Sequence, residues 1–414
     1  ASGRTGRRRT EMSSPITDHS GESSPEKSPL QLAIVRQRYT PYGGAERFVS
    51  DAMAALDKVG IRLTLYTRAW PGGESIFKPV TCNPFYLGSL WRDWGFGRAV
   101  CQAIAEHRPD LVQSHERIPC CDIFRAGDGL HRVWLAERRR HQSWLGKLSI
   151  ALNPTHHFRL AAENRLFSSP RLKAVICISE MIRDEMLANF PIDPAKLHVI
   201  YNAVDTTRFS PALRQHRPEI CQQYGIPENA SLFVFVGSGF DRKGLAPAIE
   251  ALASLPDTAH LLVVGKDKRA GRYEQLAERL CPGRVHFAGP QKDPRPFYGA
   301  ADAFILPTLY DPLSNAVLEA LACGLPVVTS FKCGAGEIVA AHTAGFLSDA
   351  RDIPALSANM IRLLDPATHQ QCAANARQAA LALSAEAMTS RLLDLYNSLL
   401  DLAPRPAGPA GERL

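Results

Sequence analysis

No apolar run in this 414-residue chain approaches the eighteen or so residues that a membrane-spanning helix needs, so the chain is expected not to cross a bilayer. Residues 1–29 lack the apolar centre of a secretory signal. The ten cysteines, at positions 82, 101, 120, 121, 177, 221, 281, 323, 333 and 372, form no C-x-x-C or Cys/His ligand spacing. Several sit in apolar runs such as Val175-Ile176-Cys177-Ile178. Buried, reduced thiols are therefore expected, rather than a disulfide or zinc framework. Short internal repeats are also lacking. A general basic surface is missing too, because the net charge of +7 is local. Residues 131–167 carry seven Lys or Arg against Glu137 and Glu163, a balance of +5. That excess indicates one anionic partner surface and argues against nucleic acid as a partner.

What is present is material for large buried sheets: 45% of residues are hydrophobic and 21% charged. The length suggests two or three domains. Residues 1–29 and 403–414, rich in Ser, Pro, Gly and charge, are expected to be a disordered leader and tail, and Met12 would serve equally well as a start. From Leu32 onward, short β-branched runs alternate with helical patterns. Candidate strands lie at 32–35, 62–66, 111–113, 123–126, 174–178 and 198–201, then at 231–236, 260–264, 284–287, 303–306, 326–329 and 345–347. Alternation of this kind predicts α/β architecture with parallel sheets covered on both faces. Twelve strands exceed one ordinary twisted sheet, so two are expected. The turn-rich stretch Val204 to Pro211 divides them, giving domains at 30–204 and 205–384. A helix over 385–402, with leucines at 392, 393, 395, 399 and 400, is long enough to pack back on the first domain.

Two motifs carry the chemistry. Phe233 to Val236 followed by G-S-G-F-D-R-K-G reads as a buried strand, a glycine turn and a helix start. Gly237, Gly239 and Gly244 admit close backbone approach, and Arg242 with Lys243 places two cations where a departing pyrophosphate needs them. The second is D-P-L-S-N-A-V-L-E-A-L-A-C-G-L-P over 311–326. Asp311 precedes Pro312, a helix should open near Ser314 or Asn315, and Glu319 then shares a face with Asn315. Free amides at Leu313, Ser314 and Asn315 suit an anion between the two acids. Near the start, Gly43-Gly44 precedes a helical pattern. Asp128, in F-R-A-G-D-G-L-H, and His115-Glu116 follow strands, where α/β folds gather catalytic groups.

The G-G loop, the R-K pair, V-I-Y-N-A-V-D at 199–205 and the acid-x7-acid helix resemble the retaining GT-B glycosyltransferases of family 4. Within that family, G-S-G-F-D-R-K-G, Y-T-P-Y-G-G-A-E-R and L-Y-T-R-A-W are similar to lipopolysaccharide core glucosyltransferases that extend the heptose region. The resemblance implies two Rossmann-like domains facing across a cleft, with the C-terminal helix returning to the first. It implies transfer of a hexose, with glucose from UDP-glucose foremost, and retention at the anomeric carbon. No metal and no cofactor beyond the nucleotide-sugar substrate are implied. Arg242 and Lys243 would hold the diphosphate with Gly43, Gly44 and Gly239 beside it, and Glu319 would hold the ribose. Asp311, where the family usually has Glu, would contact the sugar. Asp128 would stand near the reacting carbon and the acceptor. Lys243→Ala and Glu319→Ala are expected to abolish turnover and leave the fold intact.

The basic segment H-R-V-W-L-A-E-R-R-R-H-Q-S-W-L-G-K-L interleaves Trp134, Leu135, Trp144 and Leu145 with cations. A helix of this kind suits an anionic leaflet, and together with the resemblance it implies a peripheral protein on the cytoplasmic face of the inner membrane with a lipid-linked saccharide acceptor. Alternatives are an N-acetylhexosamine or galactose donor, a polyprenyl-linked or other glycolipid acceptor, a nucleotide-sugar epimerase, and an inactive glycan-binding relative.

Overall fold

The computed structural model describes residues 30–38, 61–69, 78–140 and 142–401, so the expectations for the leader and tail fall outside it. Among the described residues, thirteen strands make two sheets. The first contains β1 (Gln31–Val35), β2 (Arg62–Thr67), β3 (Lys78–Thr81), β4 (Leu111–Ser114), β5 (Ile123–Arg125), β6 (Ala174–Cys177) and β7 (Leu197–Val199), in the order β3-β2-β1-β4-β5-β6-β7. The second contains β8 (Ser231–Val236), β9 (Ala259–Val264), β10 (Val285–Gly289), β11 (Ala303–Leu306), β12 (Val327–Ser330) and β13 (Gly345–Ser348), in the order β10-β9-β8-β11-β12-β13. Neighbouring strands pair in parallel throughout. β3 escapes the sequence pattern because Pro79 reads as a strand breaker. At the edge of the sheet the missing amide is tolerated.

Alternation along β1 explains how the first sheet is covered. Ala33 and Val35 face a core shared with Phe96, Val100 and Ile104 of the helix Gly88–His107. Leu32 and Ile34 face the opposite side, where Met388, Leu392, Leu395, Tyr396 and Leu399 of the helix Ala385–Asp401 complete the core. The C-terminal helix therefore returns across the chain to close the first sheet, and buried Tyr396 Oη donates to Gln113 Oε1 at 2.7 Å. The second sheet has a continuous core from Val204 to Ala380, which also takes in Ile178 of the first domain.

One cysteine expectation is overturned. Cys101, on the helix Gly88–His107, is bonded to Cys120 as a disulfide, while the other eight are free and buried. Their 19-residue separation matches no short motif, but β4 between them folds the chain back until the two Cα atoms stand 5.7 Å apart. No helix among the described residues is long and apolar enough to cross a membrane.

Leu392 is 2% exposed against the first sheet. Leu392→Ala should cost about 2–5 kcal/mol in urea unfolding. A loss below about 0.5 kcal/mol, the usual size for a surface substitution, would show that this helix is not docked.

Candidate active site

In each sheet the strand order reverses once, between β1 and β4 and between β8 and β11. Loops leaving the carboxyl ends of strands diverge there and leave a crevice. β8 feeds the Arg242-Lys243 loop and β11 feeds the Asp311 loop, so strand order brings together residues 68 positions apart. Thr308 Oγ1 and the Leu309 amide donate to the Arg242 carbonyl at 2.9 and 2.8 Å. Arg242 Nη1 donates back to the Tyr310 carbonyl at 3.1 Å. At Gly244 (φ +79) an added Cβ would stand 1.9 Å from the Pro307 carbonyl oxygen, so only glycine lets the loops touch. Gly239 (φ +76) opens the short helix Phe240–Lys243 and has free space where a Cβ would lie.

Asp311 sits at the junction. Lys243 Nζ forms an ion pair with Asp311 Oδ2, and Arg242 Nη1 lies 3.6 Å from the same oxygen. Lys243 and Asp311 are buried, whereas Arg242 is half-exposed. Burial alone would raise the Asp311 carboxyl, but the charges of Lys243 and Arg242 outweigh it and hold it below its ordinary value.

The expected helix spans Asn315–Ala322. Its first turn differs from expectation at Leu313, whose amide donates to Asp311 Oδ1 at 3.4 Å and so is not free. The proline before it bends the chain until the acid reaches its own backbone. Ser314 is in the left-handed region (φ +67), a strained state for a non-glycine residue, and its buried Oγ has no partner. Asn315 Oδ1 accepts from Asn202 Nδ2 at 2.7 Å. Glu319 is half-buried and accepts from Tyr298 Oη at 2.8 Å.

A cavity of about 810 Å³ separates the domains. Asp128, Glu116, Arg117 and His131 wall it on one side, and Arg242 and Asp311 on the other. Lys243, Gly239, Leu313, Ser314, Asn315 and Glu319 do not line it. Gly43 and Gly44 lie outside the described residues. Asp128 is exposed on its loop, near enough to Glu116 to help burial raise that carboxyl. His115 is buried and held well below its usual value by burial, Arg36 and Arg125, so it stays neutral at physiological pH.

Sequence reasoning missed the residues that join the two halves. Tyr310 Oη donates to Glu185 Oε2 at 2.8 Å and accepts from the Leu130 amide at 3.3 Å, linking the Asp311 loop to the Asp128 loop. Glu337 accepts from the Glu180 and Met181 amides at 2.7 and 3.1 Å and from Tyr201 Oη at 2.7 Å. The only signal for Tyr310 was its place beside Asp311.

Two family models match in succession: Glycosyltransferase Family 4 over residues 42–208 and Glycosyl transferases group 1 over residues 216–379. The chain belongs to the group 1/family 4 glycosyltransferases. It is 27% identical over 325 residues to the lipopolysaccharide glucosyltransferase WaaG of Escherichia coli, across 76% of this chain and 84% of that protein. In fold it matches a crystal structure of WaaG with a TM-score of 0.75 at 24% identity, over 88% of this chain and 99% of that one. It also matches Anabaena HepE in complex with UDP-glucose at 0.66 and 20% identity, over 89% and 100%. The GT-B architecture is thus shared.

In this glycosyltransferase the ion pair changes one expectation. Lys243→Ala strips a buried carboxylate of its nearest cation, so it should cost about 3–5 kcal/mol as well as activity. The pH dependence has a definite sign. Asp311 is held below its unfolded value near 4, so its contribution is complete above that value and lost as pH falls through the folded one. Denaturant titrations should show the stability gap between wild type and Asp311→Asn widest above about pH 4 and narrowing in acid. A gap constant with pH would disprove the charged pairing.

Proposed function

We propose that this glycosyltransferase moves glucose from UDP-glucose, with retention, to a heptose of a lipopolysaccharide-core acceptor at the cytoplasmic face of the inner membrane. The observation that carries the reading is the convergence of Arg242 and Lys243 on one carboxylate, Asp311, facing Asp128 across the cavity. Two cations on one acid leave a positive surplus, which a diphosphate would neutralise. The orphaned Ser314 hydroxyl, at the first turn of Asn315–Ala322, offers a donor to a phosphate oxygen, and the open space at Gly239 admits the rest. Glu319 would bind the ribose. Asp311 Oδ1, held only by the long Leu313 contact, is left for a sugar hydroxyl.

In this reading the bond from the anomeric carbon to the diphosphate breaks as the acceptor hydroxyl bonds to the same face of that carbon. The hydroxyl proton passes to a leaving phosphate oxygen, and UDP departs. Arg242 and Lys243 stabilise the charge that develops on the diphosphate, so no carboxylate nucleophile and no metal are invoked. Asp128, on the acceptor side, orients the incoming sugar. The likeness to WaaG, named a lipopolysaccharide glucosyltransferase, and to HepE with UDP-glucose supports the choice of donor and acceptor.

A lipid-anchored acceptor fits the exposed apolar surface of the first domain. Trp144 (72% exposed), Leu145, Leu148 and Leu152 (71% exposed) share one face of the helix Trp144–Leu152. Phe85, Leu87, Trp91 and Trp94 add exposed apolar surface at the start of Gly88–His107. Trp134 and Leu135, expected to face lipid, do not: Leu135 is buried, and Trp134 is half-buried 6.4 Å from the Tyr310 ring. The helix ends at Arg140, and the apolar face begins afresh at Trp144.

Incubation of UDP-glucose, UDP-galactose and UDP-N-acetylglucosamine with a heptose-terminated core acceptor tests the reading. Glucose transfer with α-linkage retained is expected, and Arg242→Ala should lower kcat at least about 100-fold. Transfer of another sugar only, or inversion, would refute it. Binding to phosphatidylglycerol vesicles should weaken with salt and fall in Trp144→Ser/Leu152→Ser. Binding unaffected by either would remove the membrane contact.

A further inference from the structure

The interdomain cavity carries more positive charge than a donor diphosphate requires. Seven arginines and four carboxylates line it. Four of the arginines have acids: Arg92 and Arg159 share Asp93 at 2.9 and 3.3 Å, Arg117 pairs with Glu163 at 3.0 Å, and Arg242 lies 3.6 Å from Asp311. Arg98, Arg138 and Arg165 make no ion pair among the described residues, although they come from three different helices, Gly88–His107, His131–Arg140 and Pro154–Phe167. Arg98 stacks over the Trp94 ring at 5.7 Å instead.

Histidine does not share this charge. His131 and His156 approach to 3.1 Å between ring nitrogens within the same wall. Burial and nearby arginines push His131 down to about 3, so it is neutral near pH 7. The positive potential therefore comes from fixed guanidinium groups, which do not titrate in the physiological range.

We propose that Arg98, Arg138 and Arg165 form an anion subsite for the acceptor, which recognises phosphate or carboxylate groups carried by the acceptor saccharide itself. The proposal rests on reading this cavity as the acceptor's. All three belong to the first domain, on the side of Asp128, whereas the cations assigned to the donor belong to the second. They also lie on the cavity wall, while the apolar face suited to lipid is presented by Trp144, Leu145, Leu148 and Leu152. Guanidinium forks bind phosphate and carboxylate in two-point contacts, which would fix the register of an extended saccharide so that one hydroxyl reaches the reacting carbon.

The test uses a deacylated heptose-terminated core oligosaccharide, so that no membrane is present. It is compared with the same oligosaccharide after dephosphorylation, after carboxyl reduction, and after both. Arg98→Gln, Arg138→Gln and Arg165→Gln should each raise KM for the charged acceptor about 10-fold, the value of one charge-assisted hydrogen bond. The KM for UDP-glucose should not move. With the doubly neutralised acceptor, wild type and variants should converge, and the single treatments identify which anion is read. Calorimetric binding of the charged oligosaccharide reports on the same arginines without turnover, so failed transfer by wild type would sink the functional reading and leave this one measurable. Equal KM values for charged and neutral acceptors in wild type would overturn the inference. So would variants that lose phosphatidylglycerol vesicle binding but keep their affinity for the charged oligosaccharide.

Discussion

A buried carboxylate with two cations holds the site together. Asp311 is removed from water, a state that an isolated carboxylate does not sustain, and Lys243 and Arg242 make it tolerable. Because the cations arrive on the loop after β8 and the acid on the loop after β11, the pair also fastens these loops at the point where the sheet's strand order reverses. The Arg242 carbonyl, taken by Thr308 and Leu309, repeats the attachment in neutral form. Local chemistry and sheet topology thus fix the same geometry. The acid sets the position of the cations before any anion arrives, which is the preorganisation that stabilising a leaving group demands.

The junction between the domains is built differently. Its contacts mix apolar and polar groups: Tyr310 enters the core of the first domain and Ile178 that of the second, while Ser179 Oγ donates to the Pro312 carbonyl at 2.7 Å, and Lys332 lies 3.4 Å from Glu185 and 3.5 Å from Glu137. Glu337 places its carboxylate on the first amides of the helix Glu180–Asn189, where the helix dipole favours negative charge. Gly334 permits the approach, since a Cβ there would stand 2.6 Å from Ser179 Oγ of the other domain.

Much of the fold was legible because parallel strands buried on both faces read as apolar runs, and Ser231 to Val236 and Ala303 to Leu306 stand as the sequence suggests. β3 was hidden by Pro79. The Arg242-Lys243 and Asp311 motifs were legible as chemistry, yet their direct contact was not, because pairing across 68 residues depends on strand order. The disulfide between Cys101 and Cys120 was missed for the same reason. Trp134 and Leu135 were read from alternation with cations, a pattern that cannot distinguish a lipid-facing ring from one turned toward Tyr310. Apart from Tyr310's place beside Asp311, the Tyr310, Glu185 and Glu337 contacts had no local signal, since each bridges elements far apart in the chain.

The polypeptide passes between its two lobes at two places, once after β7 and once before the helix Ala385–Asp401, and the Val204 amide bonds the Leu383 carbonyl at 2.9 Å where the passages meet. Two tethers lying side by side define a hinge line. Rotation about that line would swing the lobes apart like covers of a book, parting Tyr310 from Glu185 and Glu337 from its helix while both sheets stay whole. Entry of one substrate and escape of the spent nucleotide would then require these hydrogen bonds to break at the fore-edge and the Tyr310 ring to withdraw from the core of the first lobe.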